Sequence, residues 1–511
     1  MAHERMIAEL ERRRAAATRM GGPDKLAKRA ERGQLNAEER LAALVDKDSF
    51  FEVGLLGASG VFDADVTSTP RDGKIAGFGR VDGRDVGVVV NDFTTKGSST
   101  SATNSRKMGY IRKVCTEKGM PFLHIGESTG ARLPDAMGSK GMGQMLGNDP
   151  TQFKRMRDTP WVAAALDTSF GSSAWQCCCA DFAVMKKGSI MSVSSPRLVS
   201  MAIGEKVDLE ELGGWRLHAE QTGLIDHFVD TDEEAMAAIR HFLSYMPSHN
   251  GQLPPATRVT EGSGEGQERI LDVLPEKRTQ VYNMKKIVEI IVDRDSFFEM
   301  KARFGRSAIV GLARLNGKVV GIIANNPNVG GGALSAEACR KIQDFSVMCD
   351  SFNVPMVRFM DTPGFVVGLD AERRGAPGHI MNFMNATSMV TVPQITVLCR
   401  KAYGRAYVAM GGGTQNDAMI AWPSAEISFM DPVFATNIVK NVSPGDDGFE
   451  DALAEIQKDL EVWDMARIFS AHDVIKPQET RAYLIRMLDI QQRRRSGGIG
   501  QHLMRTWPTS Y

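Results

Sequence analysis

Two short stretches could do chemistry without any reactive side chain. Phe170-Gly-Ser-Ser-Ala174 and Tyr403-Gly-Arg-Ala406 each follow a short apolar run, Trp161 to Leu166 in one case and Ile395 to Leu398 in the other. A strand that turns through glycine into a helix presents unpaired backbone N–H groups, and the positive end of the helix dipole, to whatever lies in front of it. That is an oxyanion hole in outline. It suits a thioester carbonyl that becomes an enolate, and losing one such donor costs ~3 kcal/mol of transition-state stabilisation. Either turn alone also reads as an ordinary tight strand-to-helix turn, so its recurrence at corresponding positions gives it weight. A competing motif is Gly126-Glu-Ser-Thr-Gly130, which follows a strand and fits G-x-S-x-G with Ser128 as the nucleophile. The matching stretch further along has Thr362 and no such motif, and the sequence places no histidine as its base.

Other chemistries find less support. The seven cysteines are Cys115, the run Cys177, Cys178 and Cys179, then Cys339, Cys349 and Cys399. None forms a C-x-x-C pair, so no metal site is expected and the cysteines read as buried thiols. The 62 basic and 62 acidic residues cancel, which gives no support for polyanion binding as the main task. The longest apolar runs fall short of the ~20 residues that cross a bilayer. With no secretory signal at the start, the protein is expected in the cytoplasm. Met1 to Val45 mixes Glu with Arg and reads as an exposed amphipathic helical segment rather than a transit peptide. The basic run Arg493 to Arg495 reads as a solvated or interface helix end.

The elements that must position these turns are written twice. Asp46-Lys-Asp-Ser-Phe-Phe-Glu52 recurs as Asp293-Arg-Asp-Ser-Phe-Phe-Glu299, and Ile75 to Arg84 recurs as Ile309 to Lys318. At a constant offset of 234, Gly83, Gly87, Asn91, Lys107, Cys115, Pro121 and Gly130 meet Gly317, Gly321, Asn325, Lys341, Cys349, Pro355 and Gly364. Shifted by one, Pro160 and Gly171 meet Pro393 and Gly404. Register held over about 100 residues marks a duplication. Each copy predicts a glycine hairpin into a buried strand, Val86 to Asn91 and Val319 to Asn325. A helix follows, Ser105 to Lys118 and Ala336 to Phe352, and then a second strand, Pro121 to Ile125 and Pro355 to Met360. The fold class is α/β, with domains over 1–250 and 278–511 joined by a Pro-, Gly-, Ser- and Glu-rich linker over 251–277.

These residues resemble the β subunits of propionyl-CoA and related acyl-CoA carboxylases along nearly the whole chain. The resemblance rests on Leu212-Gly-Gly with His218, Cys349-Asp-Ser-Phe-Asn-Val-Pro355, Asp361-Thr-Pro-Gly-Phe365, Val392-Pro393 with Ile395-Thr396, Arg400-Lys-Ala-Tyr-Gly404 and Ala421-Trp-Pro-Ser-Ala-Glu-Ile427. Glu127-Ser-Thr-Gly-Ala-Arg132 is similar to the family's Asp-Ser-Gly-Gly-Ala-Arg, which explains the lookalike nucleophile motif.

The resemblance implies two tandem crotonase-superfamily (ββα spiral) domains and a hexamer within an α/β holoenzyme. The active site would form where the first half of one subunit meets the second half of another. The first half would hold an acyl-CoA, and the second carboxybiotin delivered by a separate carrier protein. Gly171 and Ser172 would cradle the enolate oxygen, with Gly130, Ala131, Arg132 and Ser173 on the substrate side. Arg405 and Ala406 would face the biotin ureido oxygen, with Gly364, Phe365, Gly404 and Tyr407 around the cofactor, and Val408 would bear on acyl choice. Carboxybiotin would release CO2, its ring would take the α-proton, and the acyl enolate would attack the CO2. No Met-Lys-Met biotin-accepting site and no Gly-rich ATP-binding domain is found, so biotin carboxylase and carrier functions are expected on partner chains.

Departures from the family leave the acyl group open. Ser172 replaces a second glycine in the first hole, and Trp175-Gln-Cys-Cys-Cys179 replaces a small-residue pattern. Ser173 and Gln176 either line an acyl pocket or face the helix's own core. Arg405 replaces a glycine in the second hole and either meets an anionic group or points to an interface. Rival readings are a decarboxylase running the reverse transfer, a biotin-independent hydratase or isomerase with Glu127 as base, and an inactive scaffold. Glu127 reads better as a turn cap than as that base.

Overall fold

The computed structural model describes residues 2–60, 68–145, 152–458, 460–493 and 495–508, so Met1 and Arg494 lie outside the described residues. The chain divides into two compact units, 1–250 and 251–510.

In the first unit β1 (Phe51–Glu52), β2 (Lys74–Val81) and β3 (Arg84–Asn91) form an antiparallel ribbon. β4 (Phe122–Ser128), β5 (Trp161–Phe170), β6 (Phe182–Lys186) and β8 (His227–Val229) extend it in parallel, and β7 (Ile190–Ser192) pairs with the far end of β5. The second unit repeats this with β9 (Phe298–Met300), β10 (Ala308–Leu315), β11 (Lys318–Asn325), β12 (Met356–Thr362), β13 (Gln394–Tyr403), β14 (Ala418–Ala421), β15 (Glu426–Ser428) and β16 (Asp473–Val474). Even the irregularities recur. β4 slips register against β5 before Ser128 pairs with Ser169, and β12 slips against β13 before Thr362 pairs with Ala402.

The same residues hold both copies together. Asp46 accepts the turn amides of Asp82 and Gly83 and is joined by Arg240. Asp293 accepts those of Asn316 and Gly317 and is joined by Arg481, 2.6 Å away. Gly87 and Gly321 must be glycine, because a Cβ there would lie 2.1 Å from Cys115 Sγ and 2.7 Å from Cys349 Sγ. Lys107 and Lys341 are buried in the corresponding helices, Ala102–Lys118 and Ala336–Ser351, and donate to backbone carbonyls of β2 and β10. Ser101 and Ser335 cap those helices through their hydroxyls. The cores lie on the sheet faces, with Ala163, Ala165 and Met185 packed against the helical Cys177 in the first unit and Val357, Phe359, Ile395 and Val397 in the second.

Two expectations change. Residues 251–277 do not hang free. Arg314 donates to Pro255 O at 2.8 Å, Thr257 N donates to Gly317 O, and Ile270 is buried in the second unit's core. Pro and Gly there set turns on a surface rather than length in a linker. The N-terminal helices Ala2–Ala17, Pro23–Glu31 and Ala37–Leu44 are not merely an exposed face, since Arg29 and Arg40 are buried.

Candidate functional site

The first hole forms where β5 ends. Gly171 takes φ 57°, a region L side chains rarely adopt, and starts the helix Ser172–Cys179. Its N–H donates to Ser192 O and its carbonyl accepts from Trp175 N at 3.0 Å. The amides of Ser172 and Ser173 belong to the first turn and have no acceptor within the helix. Facing them is Gly130, φ 92°, just beyond β4. A Cβ added to Gly171 would lie 3.7 Å from Gly130 Cα, so two bare backbones line the hole.

Neighbouring groups are committed to shaping it. Ser128 is buried, donates to Ser98 O at 3.2 Å and accepts from Gly130 N at 3.1 Å, so it is a loop brace and not a nucleophile. Arg132 is buried too, with its guanidinium on Asp72, Ser99 Oγ and Ser99 O. It holds the 98–101 loop rather than offering a charge to substrate. Ser173 turns inward: its hydroxyl lies 2.5 Å from where a Gly126 Cβ would stand, which is why that strand residue is glycine. Gln176, one turn on, is buried as well, so both side chains face the core and not a ligand. At the mouth, Ala131 is exposed and Ser172 is half-buried, its Oγ 2.6 Å from Thr100 Oγ1.

The second hole repeats the order of strand, positive-φ glycine and helix with other side chains. Gly404 has φ 59° and begins the helix Gly404–Ala409, and Gly364 has φ 137° beyond β12. Thr362 Oγ1 accepts from Gly364 N at 3.2 Å, as Ser128 does from Gly130. Arg405 is exposed and Ala406 buried, while Phe365, Tyr407 and Val408 are half-buried. The Tyr407 hydroxyl accepts from Gly413 N at 2.8 Å, and burial raises its pKa. Tyr403 donates to Glu426 at 2.7 Å and accepts from Arg278.

Behind the first hole lies a charge cluster that sequence reasoning missed. Glu127 is fully buried at the end of β4 and takes Arg29 at 2.8 and 2.9 Å, and also Arg40. Arg40 bonds Asp232 at 2.7 and 2.9 Å, and Lys186 reaches Asp232 as well. Burial raises the Glu127 carboxyl, but Arg40 and Arg29 outweigh it and hold the pKa below the ordinary value. A carboxylate so held is neither a general base nor a turn cap. The second unit has Asp361 at the matching place, on Arg400 at 2.9 Å and near Lys401. The acid recurring at the shared offset was the available signal. His218 is also structural, its Nε2 2.7 Å from Met191 O. Among the described residues no group of three or more His, Cys, Asp or Glu could hold a metal, and no helix is long and apolar enough to cross a membrane.

The Carboxyl transferase domain family matches residues 28–500. The carboxyltransferase subunit of propionyl-CoA carboxylase from Haloferax mediterranei is 33% identical over 503 residues, covering 95% of this chain and 96% of that protein. The α subunit of methylmalonyl-CoA decarboxylase from Veillonella parvula is 31% identical over 479 residues, covering 92% of each. Among solved structures, the transcarboxylase 12S hexamer with methylmalonyl-CoA bound superposes with a TM-score of 0.89 at 31% identity, over 96% of each chain. The two sheets with their helices are accordingly tandem crotonase-like domains.

Proposed function

The chain belongs to the Carboxyl transferase domain family, and from that premise we propose how its two holes divide the labour of a biotin-dependent acyl-CoA carboxylase. It is the carboxyltransferase subunit, moving CO2 from carboxybiotin to the α-carbon of an acyl-CoA. The observation that carries this reading is the pair of helices started by a positive-φ glycine at the end of a strand, repeated in both units, each unit also having a positive-φ glycine just beyond the preceding strand. Backbone donors at the start of a helix suit the stabilisation of an enolate.

In the first unit the Gly171 N–H is taken by Ser192 O, so the amide of Ser172, joined by that of Ser173, takes the thioester oxygen as it gains charge, and the bare backbones of Gly130 and Gly171 beside the exposed Ala131 give the acyl group its clearance. In the second unit the amides at Arg405 and Ala406 take the ureido oxygen, with Gly364, Phe365, Gly404 and Tyr407 around the ring. The residues there fit such a neutral, planar group: backbone N–H groups, half-buried aromatic rings and a bare glycine. Carboxybiotin, when bound, supplies both the CO2 and the base for the α-proton. We assign acyl choice to Val408, half-buried one residue after Tyr407, while the exposed Arg405 offers a cation at the start of that helix.

The partners we propose are a biotin carboxylase and a biotin-bearing carrier, with this chain as a homo-hexamer in the cytoplasm. The test combines the chain with both partners, labelled bicarbonate and ATP, and a panel of acyl-CoAs. Label in at least one thioester is expected. No label in any thioester overturns the carboxylation reading, and label leaving a malonyl-type thioester for biotin alone would favour the reverse transfer.

A further inference from the structure

The lip of the first hole carries two hydroxyls that the second lacks. Thr100 Oγ1 and Ser172 Oγ lie 2.6 Å apart. Thr100 is held in place, since its N–H donates to Gly130 O at 2.8 Å and its carbonyl accepts from Arg132 N at 2.8 Å. Ser172 opens the helix beside the facing glycines Gly130 and Gly171. The equivalent bridge in the second unit joins Leu334 to Phe365, and Arg405 stands in the place of Ser172. The duplicated scaffold therefore folds without either hydroxyl. A pair of hydroxyls spends one proton on the bond between them and keeps one. Thr100 is the buried member, and Ser172 the more open one. With Thr100 donating, the spare proton sits on Ser172 at the mouth, and a hydroxyl that accepts a hydrogen bond becomes a stronger donor.

We propose that the Ser172 hydroxyl, oriented by Thr100, is a side-chain donor of the first oxyanion hole, adding to the backbone amides a hydrogen bond to the enolate oxygen. Ser172 is then a catalytic residue through its side chain, and Thr100 is a positioning residue. Neither hydroxyl gives up its proton, and no covalent bond forms or breaks at either. The inference rests on the carboxyltransferase reading above. Because the bond strengthens as the thioester oxygen gains charge, its loss falls on kcat and not on KM.

The experiment uses the chain with its biotin carboxylase and carrier, measuring kcat and KM for the best acyl-CoA. Ser172→Ala is expected to lower kcat about ten- to hundredfold with KM within about twofold. Thr100→Val is expected to lose about fivefold in kcat and Thr100→Ser to regain it. The Thr100→Val, Ser172→Ala double variant is expected to be no slower than Ser172→Ala alone, because Thr100 acts only through Ser172. Ser172→Gly keeps the amide and the helix start, so it reports on the hydroxyl even if the alanine variant misfolds. Unchanged kcat in folded Ser172→Gly, a loss confined to KM, or fully additive losses overturns the inference while the wild type still transfers label. Failure of the wild type to label any thioester overturns the carboxyltransferase reading, and this inference with it.

Discussion

The two units share strands, clasps and glycines, yet they differ beneath the helix that starts each hole. The first has His124, Ser169, Ser173 and Gln176 there, and the second has Arg358, Ala402, Ala406 and Ala409 at the corresponding positions. His124 Nδ1, Ser169 Oγ, Ser173 Oγ and Gln176 Nε2 are buried without a hydrogen-bond partner among the described residues. Burial draws the His124 pKa down to about 3, so the ring is neutral. Arg358 is buried on Gln394 at 2.7 and 3.2 Å, and burial draws its pKa down to about 10. Architecture thus rests on the shared bonds, while the undersides of the two holes are free to diverge. A unit that carries unpartnered polar groups where its twin carries alanine sacrifices stability there.

The largest expected break between the units is at the buried acid. Glu127→Gln leaves Arg29 and Arg40 buried against a neutral amide and should cost about 3–5 kcal/mol in chemical denaturation. Asp361→Asn releases mainly Arg400, which keeps bonds to Lys277 O and Gln280 O, and should cost less. Equal losses would mean that the two acids do equivalent work. The pH dependence has a definite sign. Glu127 and Asp232 have folded pKa values below their ordinary 4.5 and 3.8, so their contribution is full above those values. It disappears as pH falls through the lower folded values, and Glu127→Gln should flatten that acid limb.

Next comes the second hole. Ala406→Pro deletes a backbone N–H in the first turn, where proline is tolerated, and removes no reactive group. Turnover should fall about two orders of magnitude, measured as labelled acyl-CoA carboxylation. Near-normal turnover by a folded variant would move the cofactor-side donors elsewhere.

A smaller effect concerns the matched lysines. Burial lowers Lys107 to about 8 and Lys341 to about 7, against 10.5 for an exposed lysine. Between those values and 10.5 the unfolded chain binds more protons, so stability rises with pH. Lys341→Met should flatten the rise between pH 7 and 10 by about 3–4 kcal/mol, and Lys107→Met should do so by less, over the narrower window above about 8. Thermal melts across that range decide it, and an unaltered slope in Lys341→Met would mean that the lysine is buried charged.

The duplication and its strands were legible because glycine turns, apolar runs and the Asp46 and Asp293 segments keep register in the chain itself. β5 and β13 run past their apolar runs to Phe170 and Tyr403, since polar residues such as Thr168 and Lys401 still pair with β7 and β15. The positions of Gly171 and Gly404 were readable for the same reason, as glycine marks the positive φ. What periodicity could not show is which charges close on one another across long separations. Glu127 meets Arg29 and Arg40 from far upstream, and nothing local at Arg132 distinguishes a loop clamp from a substrate ligand. The packing of 251–277 was hidden likewise, because its Pro and Gly content is equally that of a linker.

The smallest effect separates polarity kept for architecture from polarity merely tolerated. Ser173→Ala and Gln176→Ala give the first unit the residues that the second already uses at Ala406 and Ala409. Each removes a buried polar atom that has no partner, and replacing such an atom relieves a desolvation cost of about 1 kcal/mol. Gln176→Ala also opens space, which offsets the gain, so the net should be near zero. Ser173→Ala removes only an oxygen beside Gly126 and should raise the melting temperature by a few degrees. If Ser173→Ala instead lowers it by as much, then the hydroxyl is bonded to something the two units do not share, and the underside of the first hole is part of its construction.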